Sequence, residues 1–534
     1  MKTRSPFLRI AALAASVLLC LGAVGCGGKT PNDSTPNSSG ADTSASTSPD
    51  ISAPSGSDAS LPTGTDTADP TQTGTGKTDK TTGSANNKTT SGGSAAPTKV
   101  NGIDLPGTSF DLKGRTVNIG IWYGFQSGDG TDDTYVRQKK INDAIEKKYN
   151  CKLNFVDTKS GADEQLKASI LSGKPKVDFF GVQGNTTFYN LYSAGCLTPL
   201  SSIKTLDISD TTHFLTSDMT VFGGKQYAVT QRPYGWLSRN FNNILLCNFK
   251  LTGQAGYTAD TIYGWQEKGE WTWDKMEEVM AAVAKISGKY GMSDLDQNDM
   301  YGFSLDMLLY QSMLYANGTD WVKKSGNTFQ FNGDSAPAMA ALNKYTSWVK
   351  KGYVKYAKEA YEDFKSGKTA FLGNIYPGPI IANWMCGDNK EVGVLYFPKG
   401  PSADKYVSLS YEAMYVVMSK GVQNPTAIGA LMYDFCSPLY TQEESRSLCR
   451  RDVMKISNNK SSLDTMMKIF DDEGASKTPV GLYGTAAGLA LSDDTAKPGW
   501  LDYVQKIAQN EMTADQAVKT FKSRCNSVMS SIYD

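Results

Sequence analysis

The sequence has almost no histidine. His213 is the single histidine in 534 residues, which excludes any site built on two histidines, such as the HExxH zinc proteases. A catalytic triad that depends on histidine would have to use His213, and no serine or cysteine motif stands beside it in the sequence. We therefore predict that His213 is a surface or capping residue, and we expect no metal and no cofactor.

An excess of charge of either sign is also missing. The chain carries 54 Lys and Arg against 54 Asp and Glu, so it has no electrostatic footprint for a nucleic acid and no polybasic arm for an anionic membrane. No nucleic-acid partner is expected. The absence of a concentrated charge run also argues against a strongly ionic ligand, although the length leaves room for two or three domains.

Seven cysteines follow the leader, and none of them forms a CxxC pair. With one histidine available as a nitrogen ligand, this spacing argues against zinc. Cys436 and Cys449 are close enough in sequence for a disulfide bond between them to close a small loop. The alternative interpretation, which we prefer for most of the seven cysteines, is that they are small buried hydrophobic residues.

An apolar run at residues 10–21 follows Lys2, Arg4 and Arg9, and this order is typical of an export signal. The run is short for a membrane span. The Ala-Val-Gly-Cys sequence that ends at Cys26 resembles the bacterial lipobox, in which small residues precede a cysteine that is lipidated. We therefore expect residues 1–26 to be a lipoprotein signal peptide; the alternative is an ordinary secretory leader.

Residues 27–100 contain no aromatic residue, and 46 of these 74 positions are Ser, Thr, Gly or Pro. Such a segment cannot bury enough apolar surface to offset the entropy of ordering it, so we predict a disordered linker. As a flexible coil it would reach about 50 Å. It is interpreted as a tether between a membrane anchor and a folded module, with a glycosylated stalk as the alternative.

From residue 101 onward, strand and helix patterns alternate. The predicted order is strand 117–122, a helix through Ile141 and Tyr149, strand 153–156, a helix through Leu166 and Ile170, and strand 177–182. This order predicts an open α/β sheet, in which ligands lie outside the carboxyl ends of the strands. We therefore predict that loops 122–131 and 183–187, which follow two of these strands, contribute to a ligand-binding site.

Several segments of this part resemble one family. They are Ala168–Asp178, Gly195–Leu200, Gly224–Val229 with Phe241-Asn242, Phe364–Phe371, Val394–Pro401, Val417–Gly421 with Asn424-Pro425, and Met512–Ala517. In this order and spacing they are similar to the extracellular solute-binding proteins of ATP-driven importers, in the sugar-binding group that includes maltose-binding protein. The resemblance covers the chain from about residue 114 to 532.

The resemblance implies a two-lobed α/β fold of the periplasmic-binding-protein type (type II), with a ligand cleft between the lobes, behind the disordered tether. Residues 101–534 would form this solute-binding domain. We expect lobe one at about 110–233 and 413–480, and lobe two at about 240–410 and 481–534. The lobes would close by hinge bending, and the closed monomer would dock on the permease of an ABC transporter.

The expected site combines aromatic platforms for the apolar faces of a sugar with polar groups for its hydroxyls. By strand-end position or by the resemblance, the predicted ligand-binding residues are Trp122, Tyr123, Asp129, Asn185, Gln231, Trp236, Tyr376, Glu412 and Trp500. The family has a stacking Trp at the position of Tyr376. We assign Trp271, Trp273, Trp321 and Trp348 to packing or surface.

Residues 294–298 read Asp-Leu-Asp-Gln-Asn, which mimics the start of a calcium loop. The sixth position is Asp299 rather than Gly and the twelfth is Leu305 rather than Glu, so a polar turn is the preferred interpretation.

The sequence thus predicts a binding protein and not an enzyme. It would be lipid-anchored through Cys26 at the extracellular face of the bacterial cytoplasmic membrane and would deliver a solute, an oligosaccharide first of all, to a permease. Peptides, polyamines and other polar solutes remain open as ligands. The competing hypotheses are a surface glycoside hydrolase that uses two carboxylates and a glycan-binding sensor or adhesin without transport.

Overall fold

The structure is a computed structural model that describes residues 98–100, 102–121, 133–183, 186–231, 244–295, 307–326, 328–357, 360–373, 389, 391–407, 414–471, 503 and 506–533. They belong to one compact unit that includes Ser94–Asp534. The predicted leader, Cys26 and nearly all of the predicted linker lie outside the described residues. Within the described part, no helix has the length and apolar character needed to span a membrane.

The first of two large sheets contains seven strands. They are β3 (Arg115–Ile121), β4 (Cys151–Asp157), β5 (Phe179–Gln183), β6 (Leu197–Thr198), β7 (Phe214–Leu215), β10 (Val229–Gln231) and β18 (Met414–Ser419). Their order is β4-β3-β5-β18-β10-β7, with β6 also paired to β18. β3 runs parallel to β4 and β5, whereas β18 is antiparallel to β5 and to β10. The predicted parallel βαβαβ order is confirmed.

Helices cover both faces of this sheet. On one face lie α1 (Asp133–Tyr149) and α10 (Pro425–Phe435); the other elements around the sheet are α2 (Glu164–Leu171), α3 (Thr186–Ser193) and three short 3-10 turns (Lys159–Gly161, Leu200–Ser202 and Asp218–Thr220). α1 buries Ile141, Ile145 and Tyr149, which recur every fourth residue. An N-terminal hairpin, β1 (Thr98–Val100) and β2 (Ile103–Leu105), packs on the same helix.

The second large sheet contains five strands. They are β11 (Ile244–Asn248), β12 (Tyr290–Leu295), β15 (Val354–Ala357), β16 (Thr369–Gly373) and β17 (Val392–Tyr396), in the order β15-β12-β16-β11-β17. β12 is parallel to β15 and β16, and β11 is antiparallel to β16 and β17. Two small hairpins stand apart from the large sheets: β8 (Val221–Phe222) with β9 (Lys225–Gln226), and β13 (Val322–Ser325) with β14 (Thr328–Phe331).

The remaining helices are α4 (Phe249–Gln254), α5 (Ala259–Glu267), α6 (Trp273–Val283), α7 (Met307–Ala316), α8 (Ala336–Lys350), α9 (Ala360–Lys365), α11 (Gln442–Ile456), α12 (Lys460–Asp471) and α13 (Ala514–Tyr533). α6 shows why they form: the Thr272 side chain accepts from the Lys275 amide and caps the helix, and Met276 and Val283 lie on its buried face. Trp271, Trp273, Trp321 and Trp348 are all buried, so their assignment to packing is confirmed.

Within the described residues, the chain passes between the two sheets three times. It leaves the first sheet after β10 and enters the second at β11, returns between β17 and β18, and leaves again between α10 and α11. The third passage is fixed to α1 by Arg137, which donates to the Leu439 carbonyl at 2.9 Å and to Glu444 at 3.1 Å. The guanidinium also lies 4.3 Å from the centre of the Tyr440 ring.

The position of α11 and α12 differs from the predicted lobe boundary. Residues 413–480 were assigned to lobe one, but α12 packs on β17 of the second sheet. Ser462 accepts from the Val394 amide at 2.8 Å, and Gln266 donates to Thr465 at 2.8 Å. The apolar residues of α11 and α12 share a cluster with residues of β11, β16 and β17 of that sheet. The reason is local, because the buried face of α12 fits the apolar face of β17.

Candidate functional site

The first sheet ends in a row of strand termini at one edge. Asp157 at the end of β4 pairs with Ile121 at the end of β3, and Gln183 at the end of β5 pairs with Met414 at the start of β18. β10 ends at Gln231, beside the same end of β18. Because three of these strands are parallel, their carboxyl ends meet here, at the edge where open α/β sheets bind ligands.

The second sheet has a matching edge. Leu295 pairs with Ala357 at the carboxyl ends of β12 and β15. At the other side of the sheet, Ile244 opens β11 opposite Tyr396, the last residue of β17. β16 ends at Gly373, which pairs with Leu245. Carboxyl ends of four strands therefore share this edge with the start of β11.

Two passages of the chain join these edges. The first runs from Gln231 at the edge of the first sheet to Ile244 at the edge of the second. The other runs from the segment after β17, described to residue 407, to Met414. The strand ends of both sheets thus lie next to the chain segments that connect the sheets. We call this region the interlobe edge, and it is the candidate binding site.

Two tyrosines stack at this edge of the second sheet. The rings of Tyr396 and Tyr406 have centroids 5.3 Å apart and an angle of 14° between their planes, and both residues are half-buried. Trp271 fixes the pair: its backbone amide donates to the Tyr406 hydroxyl and its indole Nε1 to the Tyr396 carbonyl, each at 3.0 Å. Burial raises the pKa of Tyr406 to about 12, so the phenol is neutral at physiological pH.

Lys399 completes this aromatic group. Its ammonium lies 5.4 Å from the centre of the Tyr406 ring and donates to the Asp404 carbonyl at 3.2 Å. The arrangement offers rigid ring surfaces, hydroxyl groups and one cation at the end of β17. These groups can stack on an apolar face and form hydrogen bonds with hydroxyls.

The matches to known proteins agree with this architecture. Residues 140–444, more than half of the chain, match the family described as bacterial extracellular solute-binding protein. The chain belongs to this family. No functionally curated protein matches the sequence of this solute-binding protein.

Solved structures share the fold of this solute-binding protein at low sequence identity. The cyclic alpha-maltosyl-1,6-maltose binding protein from Arthrobacter globiformis matches with a TM-score of 0.54 and 16% identity, covering 78% of this chain and 99% of that one. The sugar-binding protein MalE from Xanthomonas citri gives 0.52 and 15%, with coverages of 78% and 98%. A putative oligosaccharide periplasmic-binding protein from a Synechococcus strain gives 0.51 and 14%, with coverages of 78% and 100%. The predicted two-lobed fold and family are confirmed.

Of the predicted ligand-binding residues, the structure describes Gln231. It is the last residue of β10, pairs with Phe214 of β7 and is half-buried, which puts it at the interlobe edge. The other predicted residues lie outside the described part of the solute-binding protein: Trp122, Tyr123, Asp129, Asn185, Trp236, Tyr376, Glu412 and Trp500. Most of the calcium-like segment, from Asp296 to Asn298, lies outside it as well.

The sequence analysis missed Asp157, Tyr396 and Tyr406 as site candidates. Asp157 is exposed at the end of β4, and its carboxylate accepts from the Lys159 amide at 2.9 Å. Asp157 directly follows the predicted strand 153–156, which was the available signal for it. Tyr396 is the last residue of β17. Tyr406 gave no such signal, because its place depends on the fold of the segment after β17.

His213 is buried, at 7% exposure, so the prediction of a surface or capping position is wrong. Its Nδ1 lies 3.0 Å from Asp210, its Nε2 lies 3.4 Å from the Ser437 hydroxyl, and its ring stacks on Tyr433 with centroids 4.2 Å apart. The order Asp-His-Ser has the composition of a catalytic triad.

The surroundings of Asp210, His213 and Ser437 nevertheless favour a structural role over catalysis. Ser437 is itself buried and directly follows the end of α10, where its amide donates to the Asp434 carbonyl. The negative end of the helix dipole would destabilise an oxyanion at that position. Burial is the main cause that lowers the pKa of His213, against the opposing effect of Asp210. The three residues thus form a hydrogen-bonded chain in the first lobe.

Proposed function

We propose that this protein is the substrate-binding subunit of an ABC importer, that it captures an oligosaccharide between its lobes, and that it delivers the sugar to the permease. The observation that carries the proposal is the stacked pair of Tyr396 and Tyr406 at the edge where the chain passes between the lobes. Sugars present flat C–H faces that stack on aromatic rings. The similar structures are a cyclic maltosyl-maltose binding protein, a sugar-binding protein and a putative oligosaccharide-binding protein, and they support the same ligand class.

Binding would combine this aromatic surface with polar groups from the first lobe. Gln231 and Asp157 stand at the edge of the first sheet. The Gln231 amide can donate a hydrogen bond to a hydroxyl or accept one from it, and the Asp157 carboxylate can accept one. By the family resemblance, Tyr376 and Trp500 would add further aromatic rings to the site. Closure of the lobes around the hinge passages would then bury the sugar.

The test is a thermal-shift and calorimetry screen of the purified protein against mono- and oligosaccharides. A ligand that binds the folded state stabilises it by about 2.7 kcal/mol at a hundredfold excess over Kd. We expect one oligosaccharide class to raise Tm, and Tyr396→Ala to weaken its binding by tenfold or more. Tyr353→Ala is the matched control, since Tyr353 is a half-buried tyrosine that directly precedes β15, at the end of the second sheet away from the interlobe edge.

If no sugar changes Tm, the carbohydrate assignment fails and the screen moves to peptides and polyamines. Turnover of chromogenic glycosides would favour the glycoside hydrolase instead. Sugar binding without stimulation of a permease ATPase encoded in the same operon would favour a sensor or adhesin.

We further propose that the protein is a monomer held at the outer face of the cytoplasmic membrane by a lipid on Cys26, with residues 27–100 as a tether. Anchoring would raise the effective concentration of the binding protein near its permease. Labelling of cells with radioactive palmitate tests this proposal. We expect label in the wild-type protein, and we expect Cys26→Ala to lose the label and appear in the culture medium.

A further inference from the structure

A cavity lies at the opposite end of the second sheet from the interlobe edge. It surrounds Asn248, the last residue of β11, which pairs with Val392 at the start of β17. Its volume is about 580 Å³, which falls within the range of small-molecule sites. The whole length of β11 and β17 separates it from Tyr396, so it is distinct from the proposed solute site.

Three lysines line this cavity, which we name the basic pocket: Lys250 from α4, Lys289 from the turn before β12, and Lys365 at the end of α9. Glu391 is the one carboxylate among its lining residues. Among the described residues, no carboxylate lies within ion-pair distance of Lys250 or Lys289, and Lys365 reaches Glu362 at 3.5 Å. The pocket therefore has an excess of positive charge.

The neutral polar groups of the pocket are held in place by hydrogen bonds. Asn248 is 4% exposed and caps α4, since its Oδ1 accepts from the Leu251 amide at 3.2 Å. The same oxygen accepts from the Asn389 amide group at 3.3 Å, and Asn389 in turn accepts from the Glu391 backbone at 3.0 Å. The floor is thus fixed before any ligand arrives, which lowers the entropic cost of binding.

We propose that the basic pocket binds a multiply charged phosphate anion. Three ammonium groups around one cavity repel one another, and an anion between them converts that repulsion into attraction. Lysine is a common phosphate ligand because its ammonium acts as a point charge with three donors. The volume exceeds that of one phosphate group, so a diphosphate or a segment of a phosphate polymer fits the pocket better.

The test is calorimetry on the full protein at low salt with two probes, inorganic pyrophosphate and long-chain polyphosphate. We expect at least one probe to bind and the affinity to fall as NaCl is added, because salt screens exposed charges. Lys289→Glu should weaken binding by about fivefold or more. Lys268→Glu, which makes the same change in charge at an exposed lysine outside the pocket, should alter it by less than about twofold.

Glu391→Gln provides a test in the opposite direction. It removes the one carboxylate of the pocket without removing the backbone contacts of Glu391, so binding should tighten by about twofold or more. If pyrophosphate binds and the three variants change its affinity as expected, the pocket is a site for small phosphate anions. If only polyphosphate binds and the variants change its affinity in the same way, the ligand is a phosphate polymer. The proposal is overturned if neither probe binds, or if Lys289→Glu and Lys268→Glu weaken binding equally.

Discussion

The ammonium of Lys148 donates to the carboxylate of Asp434 at 2.7 Å, and both side chains are buried, at 1% and 0% exposure. The other Asp434 oxygen accepts from the Gly107 amide at 2.7 Å, so the pair joins α1, α10 and the N-terminal segment. The Tyr149 hydroxyl also donates to Asp434. These contacts attach the start of the folded domain, which follows the predicted tether, to α1 and α10 of lobe one.

We expect Asp434→Ala to lower the free energy of unfolding by about 3–5 kcal/mol, because it leaves the buried Lys148 ammonium without its counter-ion. Asp143→Ala is the control, since it breaks an exposed ion pair with Lys139 on the same helix and should have little effect. Urea unfolding followed by circular dichroism measures both. Equal losses in the two variants would contradict the buried-pair interpretation.

The close packing of Gly120 gives a second prediction. Gly120 lies in β3 next to the interlobe edge, where an added Cβ would lie 2.4 Å from the Phe180 Cβ and 2.6 Å from the Thr158 Cγ2. Gly120→Ala should therefore lower the free energy of unfolding by about 1–3 kcal/mol. Gly253→Ala makes the same change in α4, where an added Cβ meets no neighbour, and should stabilise by about 0.5–1 kcal/mol. Similar losses in both variants would refute the steric explanation.

The first sheet could be predicted from the sequence because its signals are local. Apolar runs such as 177–182 and the four-residue spacing of Ile141, Ile145 and Tyr149 report the strand and helix directly. The packing of α12 could not be predicted in this way. Its apolar face is compatible with either sheet, and the choice of β17 depends on contacts between residues far apart in sequence, such as Ser462 and Val394.

The site was predictable to the same degree. The rule that ligands lie at strand ends pointed to loops 122–131 and 183–187, and the structure places one predicted residue, Gln231, at a strand end of the same edge. The rule did not give the stacking of Tyr396 on Tyr406, because ring geometry depends on the tertiary fold around Trp271. His213 shows the opposite error: no serine or cysteine motif stands beside it in the sequence, so a surface or capping position was predicted, but it packs against Ser437 and Tyr433, more than two hundred residues away.

A contact between the two small hairpins gives a third prediction. Lys324 of β13 donates to the carbonyls of Asp218 and Val221, the second at 2.6 Å, and lies 5.2 Å from the centre of the Phe222 ring. We expect Lys324→Met to lower the free energy of unfolding by about 1–3 kcal/mol, because two carbonyls lose their donor.

Lys323→Met is the control for this contact, since Lys323 is the exposed neighbour on the same strand and should tolerate the change. Differential scanning calorimetry measures the two variants side by side. An unchanged Tm for Lys324→Met would show that this contact contributes nothing to stability.

The buried imidazole of His213 predicts a dependence of stability on pH. Burial lowers its pKa in the folded protein below the ordinary value of 6.5, so below that pH the unfolded chain binds a proton more readily than the folded one does. The free energy of unfolding should therefore fall as the pH drops from about 7.5 to 5.

Because His213 is the single histidine, His213→Gln should be less stable at pH 7.5 but should show a shallower slope of unfolding free energy against pH over this range. Ser437→Ala keeps the imidazole and should keep the wild-type slope, and unfolding curves at several pH values compare the three proteins. If His213→Gln and the wild type lose stability in parallel as the pH falls, the imidazole does not control this dependence.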